Sequence, residues 1–356
     1  MKRFGIGLVV TVLALGLAVG AAFAKGQKSA ADADACVLLP DTKSSVRWET
    51  QDRRFLGAAF KKAGVSYNIV NAEGSAQTQR SQADQCLTNG AKVILMVNLD
   101  SGSAAAIQKA AKAKGAKTID YDRLTLNGAA SYYVSFDNVQ VGKLMGAGVV
   151  AALKAKGALG SGKKPVIAYL NGGPTDNNAT LFKQGYAGVI DPLFKNGQAT
   201  KGPDQAVPGW DNQKARTIFE QMLVKTSNKI DAVAAANDGL GNAVVTAIKA
   251  KKLKAIPVSG QDATAQGVQN VLAGDQAGTV YKGIKAEADA AAALAISLIK
   301  GTKPAGVNGK VSDGKRNVPS VLLKPVWITK ANYTVLFKEG FLKKGEVCRG
   351  TYAKFC

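Results

Sequence analysis

The chain has 356 residues, 46% hydrophobic and 20% charged, so it can bury a large core and is too long for one small domain. Its formal net charge of +22 invites a nucleic-acid interpretation, but the lysines are scattered and lack the interleaved aromatic residues that stack on bases. We therefore expect no nucleic-acid partner and a solvated basic surface. The absence of histidine removes the commonest general base and metal ligand, which argues against hydrolase or metal chemistry.

Residues 1–24 have the pattern of a secretory signal peptide. Lys2 and Arg3 precede an apolar and small run from Phe4 to Ala22, and the triplet at 22–24 fits the small-x-small cleavage rule. A transmembrane anchor is the alternative, but the run is rich in Gly and Ala and ends in a cleavage-type triplet. We predict export to the periplasm or the extracytoplasmic cell envelope, with a net charge of +20 once Lys2 and Arg3 are removed.

Export makes the four cysteines candidates for two disulfides. Three pairings are possible. Cys348 and Cys356 are near neighbours, and if they pair, Cys36 would pair with Cys86. Free buried thiols are the alternative.

Strand-like and helix-like segments alternate along the rest of the chain, which is typical of parallel sheets with crossover helices. In the first part we predict strands at 37–39, 67–70, 93–97, 118–121 and 132–136, and helices at 51–63, 77–88, 103–114 and 139–154. A Gly/Lys-rich connector, 156–164, follows. Its GALGSGKK run resembles a phosphate-binding loop, but it follows a helix and lacks the final Ser or Thr, so we interpret it as a flexible connector.

The alternation resumes at Val166. There we predict strands from 166 and at 232–236, 256–258 and 279–281, an extended segment at 205–207, and helices at 179–194, 213–225, 242–251, 264–272 and 286–300. Beyond Gly301 the composition is loop-like until an apolar strand stretch at 321–328, which Pro325 interrupts as in an edge strand or a crossing segment. Thr329 can cap a helix at 330–338.

Five of the apolar runs lead into small clusters of polar and charged residues. The runs are 37–40, leading to Arg47-Trp48, then 118–123, 166–178, 232–238 and 256–263. Open parallel α/β sheets bind ligands outside the carboxyl ends of their strands. The pattern therefore predicts one pocket assembled from distant parts of the chain, and a protein that binds a ligand.

These clusters resemble the type I periplasmic sugar-binding proteins of ABC transporters, and the D-xylose-binding proteins among them most closely. The matching motifs are Arg47-Trp48, Tyr-Asp-Arg at 121–123, SFDN at 135–138, GGPTDNNA at 172–179, Gly209-Trp210, Asn237-Asp238, SGQDA at 259–263 and Val-Tyr-Lys at 280–282. The resemblance covers nearly all of the chain beyond the leader, in order and at compatible spacing.

The resemblance implies an α/β fold of two Rossmann-like lobes, each a parallel sheet flanked by helices, joined by a three-segment hinge. The expected N-terminal lobe is 33–137 plus about 282–317, the C-terminal lobe is 138–281 plus about 318–345, and 346–356 forms a tail. The crossings are expected near 137–141, 278–282 and 318–328.

The resemblance also implies a set of sugar-contacting residues. They are Arg47, Trp48, Asp122, Arg123, Asp176, Asn178, Trp210, Asn237, Asp262 and Lys282. The chemistry of these residue types agrees, since indole rings cover the C–H faces of a pyranose and charged or amide groups bind its hydroxyls. Three cationic and three anionic members can neutralise one another, which favours an uncharged ligand. Each motif alone has a structural alternative, a surface ion pair, a turn or a helix cap, and for Asp238 and Gln261 the structural role is as well supported as a ligand contact.

The implied function is capture of a monosaccharide, D-xylose first, and its delivery to the permease of an ABC importer, without catalysis, cofactor or metal. The same class includes proteins for glucose, galactose, arabinose or ribose. We expect a monomer, and a chemoreceptor stays open as a second partner. From other classes, a sugar-responsive repressor would need an N-terminal DNA-binding helix pair, and an exported sugar-acting enzyme would need paired carboxylates such as Asp176 and Asp262.

Overall fold

The computed structural model describes residues 32–160 and 162–356, so the predicted signal peptide, 1–24, lies outside the described residues. The strands are β1 (Ala35–Leu39), β2 (Tyr67–Asn71), β3 (Val93–Met96), β4 (Lys117–Tyr121), β5 (Tyr132–Phe136), β6 (Val166–Asn171), β7 (Thr200–Ala206), β8 (Ala232–Ala235), β9 (Thr279–Tyr281), β10 (Gly309–Ser312), β11 (Asn317–Leu323) and β12 (Val326–Ile328). The helices are α1 (Arg53–Lys62), α2 (Ala76–Thr88), α3 (Ser101–Ala113), α4 (Asn138–Ala155), α5 (Asn177–Lys195), α6 (Asn212–Lys225), α7 (Asp238–Ala250), α8 (Ala265–Ala273), α9 (Ile284–Lys300), α10 (Val335–Lys338) and α11 (Lys344–Val347). Short helical turns of other types lie at Trp48–Asp52, Pro208–Trp210 and Gly350–Phe355.

The larger sheet has the strand order β10-β11-β5-β4-β3-β1-β2, and its neighbours are parallel except in the β10–β11 hairpin. Strand β1 shows why this sheet needs helices on both faces. Val37 and Leu39 pack into a core with Leu56 of α1, whereas Cys36 and Leu38 pack into a separate core that α2 and α3 cover. A strand buried on both faces reads as a continuous apolar run, which is typical of parallel sheets.

The second sheet has the order β7-β6-β8, again parallel, and the antiparallel pair β9–β12 lies beside it. Its largest core cluster joins these strands to α4, α5, α6 and α7. Helices α4 and α5 cross at Gly142 and Gly185, each of which faces backbone of the other helix. The two helices can approach this closely because neither position carries a side chain.

The chain passes between the two sheets three times. The first passage is at Asp137, between β5 and α4, and the second lies between β9 and α9. Strand β11 pairs with β5 in the larger sheet, whereas β12 pairs with β9, so the third passage is at 324–325. We therefore place the boundary after Leu323, later than the expected start near residue 318, and the division into lobes remains our proposal.

Most helices begin at the polar residues that sequence favours at N-caps. The caps whose side chains accept a backbone N–H are Ser75, Asp100, Asp137, Asp176, Asp211, Asn237 and Thr264. The order of strands and helices along the chain follows the predicted alternation. The alternating α/β prediction is confirmed.

Three local predictions are wrong. The expected strand at 256–258 is a single bridge between Val258 and Val233, and the expected helix at 330–338 is reduced to α10. The supposed loop beyond Gly301 contains β10 and the start of β11. The residues of β10, GKVS, are half exposed at a sheet edge, so they carry no continuous apolar run by which sequence could reveal the strand.

The two disulfides are Cys36–Cys86, with Cα atoms 6.2 Å apart, and Cys348–Cys356, at 5.8 Å. This is the pairing that follows if the two C-terminal cysteines join. Within 32–160 and 162–356, the helices are all too short or too polar to cross a bilayer.

We predict that Gly185→Ala lowers the free energy of unfolding by about 1–3 kcal/mol, because a β-carbon there overlaps the backbone oxygen of Val139. Gly188→Ala on the same helix is the matched control: its β-carbon meets nothing within 4 Å, so the change should stabilise the protein by up to about 1 kcal/mol. Urea unfolding of both variants measures the difference. Equal midpoints would contradict the close crossing of α4 and α5.

Candidate functional site

One cavity lies where the carboxyl ends of the strands in both sheets meet. It has a volume of about 300 Å³, counting the part open to solvent. All ten residues that the sequence singled out line it: Arg47, Trp48, Asp122, Arg123, Asp176, Asn178, Trp210, Asn237, Asp262 and Lys282. They follow β1, β4, β6, β7, β8, the Val258 bridge and β9, so residues up to about 235 positions apart share one surface.

Four further residues line the cavity: Ser44, Ser45, Phe182 and Gln261. Gln261 was left undecided by the sequence, and the other three were missed. Phe182 lies one helical turn after Asn178 on α5, and this i,i+4 spacing is a signal that could have found it. Asp238, the other undecided residue, does not line the cavity. Its carboxylate accepts hydrogen bonds from Thr264 and Gln276, which is a structural role.

A buried ion network holds Arg47 at the cavity wall. Its guanidinium donates to both carboxylate oxygens of Asp52 at 2.9 and 2.8 Å, to Glu287 at 2.6 Å and to Asp122 at 2.9 Å. Tyr121 also donates to Asp52. Sequence missed Asp52 and Glu287, because they lie within helical segments, away from the strand ends. Arg47 is thereby fixed in one orientation, with its charge compensated.

A second set of polar contacts joins the two lobes across the cavity. Arg123, which follows β4, lies 3.0 Å from the carboxylate of Asp176 at the start of α5. The side-chain amide of Asn178 donates to the backbone oxygen and the carboxylate of Asp122 at 3.0 and 3.1 Å. Lys282 lies 3.1 Å from Asp262 and 3.8 Å from Asp122. Polar groups of both lobes thus face the same small space.

Two tryptophans form part of the wall, one from each lobe. Trp48 is 3% exposed, donates to Ser44 at 3.0 Å and stacks under the guanidinium of Arg47, which lies 4.4 Å from the ring centre. Trp210 is 5% exposed and donates to Asp176 at 3.2 Å. Its indole packs on the pair 172–173, where a β-carbon at Gly172 would overlap the ring. The glycine pair therefore makes room for the indole.

Three residues of the cavity have left-handed backbone conformations that side chains disfavour. The φ angles are 61° at Asp122, 56° at Trp210 and 93° at Asp262. Such conformations cost about 1–3 kcal/mol each and concentrate at functional sites, where surrounding structure holds them. Six other described residues, among them Glu73 and Asn127, have positive φ angles outside the cavity lining, so these conformations support the predicted site only together with their position in the cavity.

Two of the predicted residues both cap a helix and line the cavity. Asp176 accepts the backbone N–H of Asn178 at 2.9 Å, and Asn237 accepts that of Leu240 at 2.9 Å, so each begins a helix. Both also line the cavity. An N-cap residue at the carboxyl end of a strand is placed by its helix with little freedom, which suits a binding group.

Several buried polar atoms at the cavity lack a hydrogen-bond partner among the described residues. They include Oε1 of Gln261 and Oδ1 of Asp262, the latter in ionic contact with Lys282. Leaving such atoms unpaired is costly, and a ligand that both donates and accepts would satisfy them. Within the part of the chain that the structure describes, acidic side chains and cysteines do not form a cluster that could hold a metal ion.

The electrostatic environment differs among the buried carboxylates. Burial would raise the pKa of Asp122, but Lys282, Arg47 and Arg123 outweigh it and the pKa is lowered. Burial raises the pKa of Asp176 against the opposing effect of Arg123. Burial, with the nearby charges of Asp122 and Asp52, raises the pKa of Glu287 to about 8 although Arg47 opposes it. The raised pKa favours the protonated, neutral form of Glu287, which would reduce the excess of negative charge around Arg47.

Comparison with known proteins identifies the family. Residues 36–303 match the model of the periplasmic binding protein domain. The chain belongs to the periplasmic binding protein family. The D-xylose-binding periplasmic protein of Escherichia coli is 33% identical over 303 residues, covering 85% of this chain and 88% of that protein. The multiple sugar-binding periplasmic receptor ChvE of Rhizobium radiobacter is 30% identical over 347 residues, covering 92% and 96%.

Solved structures show the same two-lobed architecture. A carbohydrate transporter solute-binding protein from Chloroflexus aurantiacus, in complex with D-glucose, superposes with a TM-score of 0.80 at 26% identity, covering 88% of this chain and 98% of that one. An ABC transporter solute-binding protein from Clostridium phytofermentans with bound β-D-glucose gives the same TM-score at 28% identity, covering 88% and 99%. The predicted fold, that of a type I periplasmic binding protein, is confirmed.

We predict that Glu287→Gln flattens the pH dependence of stability. The carboxyl of Glu287 binds its proton more tightly in the folded chain, where its pKa is about 8, than in the unfolded chain, where its pKa has the ordinary value of 4.5. Its stabilising contribution is therefore present in full below about pH 4.5 and is lost as pH rises through 8. The variant should reduce this decline by up to about 1.4 kcal/mol per pH unit.

Urea midpoints of wild type and variant at pH 5, 6.5 and 8 measure this effect. Asp289→Asn, an exposed acid on the same helix, is the control and should leave the slope unchanged. Parallel curves for wild type and Glu287→Gln would rule out a protonated Glu287.

Proposed function

We propose that this periplasmic binding protein is an exported receptor that captures a monosaccharide, D-xylose, between its lobes and delivers it to the permease of an ABC importer. One observation carries the proposal: ten strand-end residues of both sheets line one cavity of about 300 Å³ with indole, amide and charged groups.

The chemistry of the cavity supports a neutral polyhydroxyl ligand. Arg47, Arg123 and Lys282 can only donate hydrogen bonds, while ionised Asp122 and Asp262 can only accept them. Sugar hydroxyls do both, so they can insert between groups that now contact each other. Each of these cations already contacts a carboxylate, so none of them is left free to attract an anionic ligand.

The relatives support D-xylose and keep other aldoses as alternatives. Proteins of Escherichia coli and Haemophilus influenzae that are each 33% identical are named for D-xylose. Those of Azospirillum brasilense and Rhizobium radiobacter are named for multiple sugars, and the two solved structures described above hold D-glucose. Relatives named as binding proteins and receptors also support a role without catalysis.

Capture would work by closure of the two lobes. The three passages at Asp137, 282–283 and 324–325 act as the hinge, and the contacts of Arg123 with Asp176 and of Asn178 with Asp122 form only when the lobes are close. A sugar that bonds to both sides stabilises the closed form by this differential contact. The permease then distinguishes the closed, loaded receptor from the open one.

We predict that Asn178→Ala weakens D-xylose binding at least tenfold, because it removes a buried amide that bridges the lobes, and hydrogen bonds to charged partners contribute roughly 1.5 kcal/mol or more. Asn177→Ala, the neighbouring residue outside the cavity lining, should change affinity less than about twofold. Isothermal titration calorimetry measures both. Normal binding by Asn178→Ala would show that the site is assigned incorrectly.

We predict that the protein discriminates against deoxy analogues of its sugar by about tenfold or more per hydroxyl, since each missing hydroxyl strands a buried charged group. Titration of tryptophan fluorescence with D-xylose, its deoxy analogues, D-glucose, D-galactose, L-arabinose and D-ribose tests this and identifies the sugar. Tighter binding of another aldose would replace D-xylose as the ligand. No response to any of them, or conversion of a xyloside to product, would contradict the receptor function.

A further inference from the structure

The end of the C-terminal lobe opposite the cavity carries a dense set of lysines. Because the strands point their carboxyl ends at the cavity, the carboxyl ends of α4, α5, α6 and α7 and the loops before the strands lie at the far end. The lysines there are Lys154, Lys156, Lys163, Lys164, Lys195, Lys225, Lys229, Lys249, Lys251, Lys252 and Lys254, and all of them are exposed. We call this surface the basic pole.

Contacts between the loops show that these lysines form one surface. The ammonium of Lys156, at the end of α4, donates to the backbone oxygen of Ala255 at 2.8 Å. This contact joins the end of α4 to the loop that carries Lys254. The backbone N–H of Thr200 donates to Pro165 at 2.9 Å, and that of Val166 donates to Asp231 at 2.8 Å. The loops that carry 163–164, 195 and 229 therefore adjoin one another.

Negative charge does not balance the basic pole. Among the described residues of these loops and helix ends, the carboxylates are Asp231 and Asp275, and Asp275 is paired with Lys249. Eleven lysines against two carboxylates leave nine positive charges in excess, nearly half of the +20 that remains on the chain without Lys2 and Arg3. The charge that looks scattered in the sequence is concentrated by the fold.

Helix stabilisation explains only part of this distribution. A lysine in the last turn of a helix interacts favourably with the helix dipole, which accounts for Lys154, Lys195, Lys225 and Lys249. Lys163, Lys164, Lys252 and Lys254 lie in loops beyond that influence. The members of the basic pole do not line the cavity described above.

We propose that the basic pole binds peripherally to a membrane surface of anionic phospholipid. An exposed array of ammonium groups fits a plane of phosphate headgroups, to which clustered lysines are attracted over about one Debye length. Val224, 72% exposed beside Lys225, adds a small apolar contact. Attachment at this end leaves the cavity, at the opposite end of the lobe, free.

Cosedimentation of the purified protein with vesicles tests the proposal. Vesicles of phosphatidylcholine with about one third phosphatidylglycerol should retain the protein at low salt and release it at about 0.5 M salt, where the Debye length falls to a few ångströms. Pure phosphatidylcholine vesicles should not retain it.

Two charge-matched variants locate the surface. The pole variant carries Lys163→Glu, Lys225→Glu, Lys251→Glu and Lys254→Glu, and we expect it to lose at least tenfold in affinity for anionic vesicles. The control variant carries Lys109→Glu, Lys310→Glu, Lys324→Glu and Lys338→Glu, which are exposed positions elsewhere, and should lose less than about threefold. Melting temperatures show that both remain folded. If the pole variant does not fold, a second variant with glutamine at the same four positions takes its place in the test.

Three results would overturn the proposal. They are equal losses by the two variants, retention by neutral vesicles that salt does not reverse, and no retention by anionic vesicles. Binding to a soluble polyanion such as polyphosphate, in the absence of vesicle binding, would assign the basic pole to an anionic polymer instead and would likewise refute a membrane partner.

Discussion

The buried guanidinium of Arg47 is the group on which the rest of the site depends. It joins the turn at 48–52 through Asp52, the end of β4 through Asp122 and the Ala-rich helix α9 through Glu287. A buried cation without such partners would be severely destabilising, so these three segments must come together for the lobe to fold. The same guanidinium lies over Trp48 and lines the cavity, so the network that stabilises the lobe also positions side chains of the cavity wall.

The cavity also shows where the fold accepts local cost. Asp122, Trp210 and Asp262 have disfavoured backbone conformations, and polar atoms of Gln261 and Asp262 are buried without hydrogen-bond partners among the described residues. The same features also occur elsewhere, such as the positive φ angles of Glu73 and Asn127 and the Oε1 atom of Gln79, which is buried without a hydrogen-bond partner among the described residues. What sets the cavity apart is that three such backbone conformations coincide there with indole, amide and charged groups from both lobes.

Sequence predicted most of the fold because strands such as β1, β3 and β8 are fully buried. Runs such as Val93–Met96 are continuously apolar and are followed by helix caps, so the sequence itself shows where each strand begins and ends. The failures are equally physical. Strand β10 is polar because it is an edge, and the segment at 256–258 is apolar because it is buried, although it makes only one bridge. Strand β11 belongs to the first lobe because it pairs with β5, and pairing partners are not encoded locally.

By itself the sequence determined the order of α/β units, the pairing of the cysteines under one assumption, and the strand-end residues that line the cavity, since each depends on residue type and near neighbours. Only the tertiary structure decided which distant groups touch. It placed Asp52 and Glu287 around Arg47, set Asp176 against Arg123 across the cavity, gave Asp238 a structural role, and gathered scattered lysines at one pole. Contacts between residues far apart in the chain depend on how strands pair and helices pack, and this information appears only when the chain is folded.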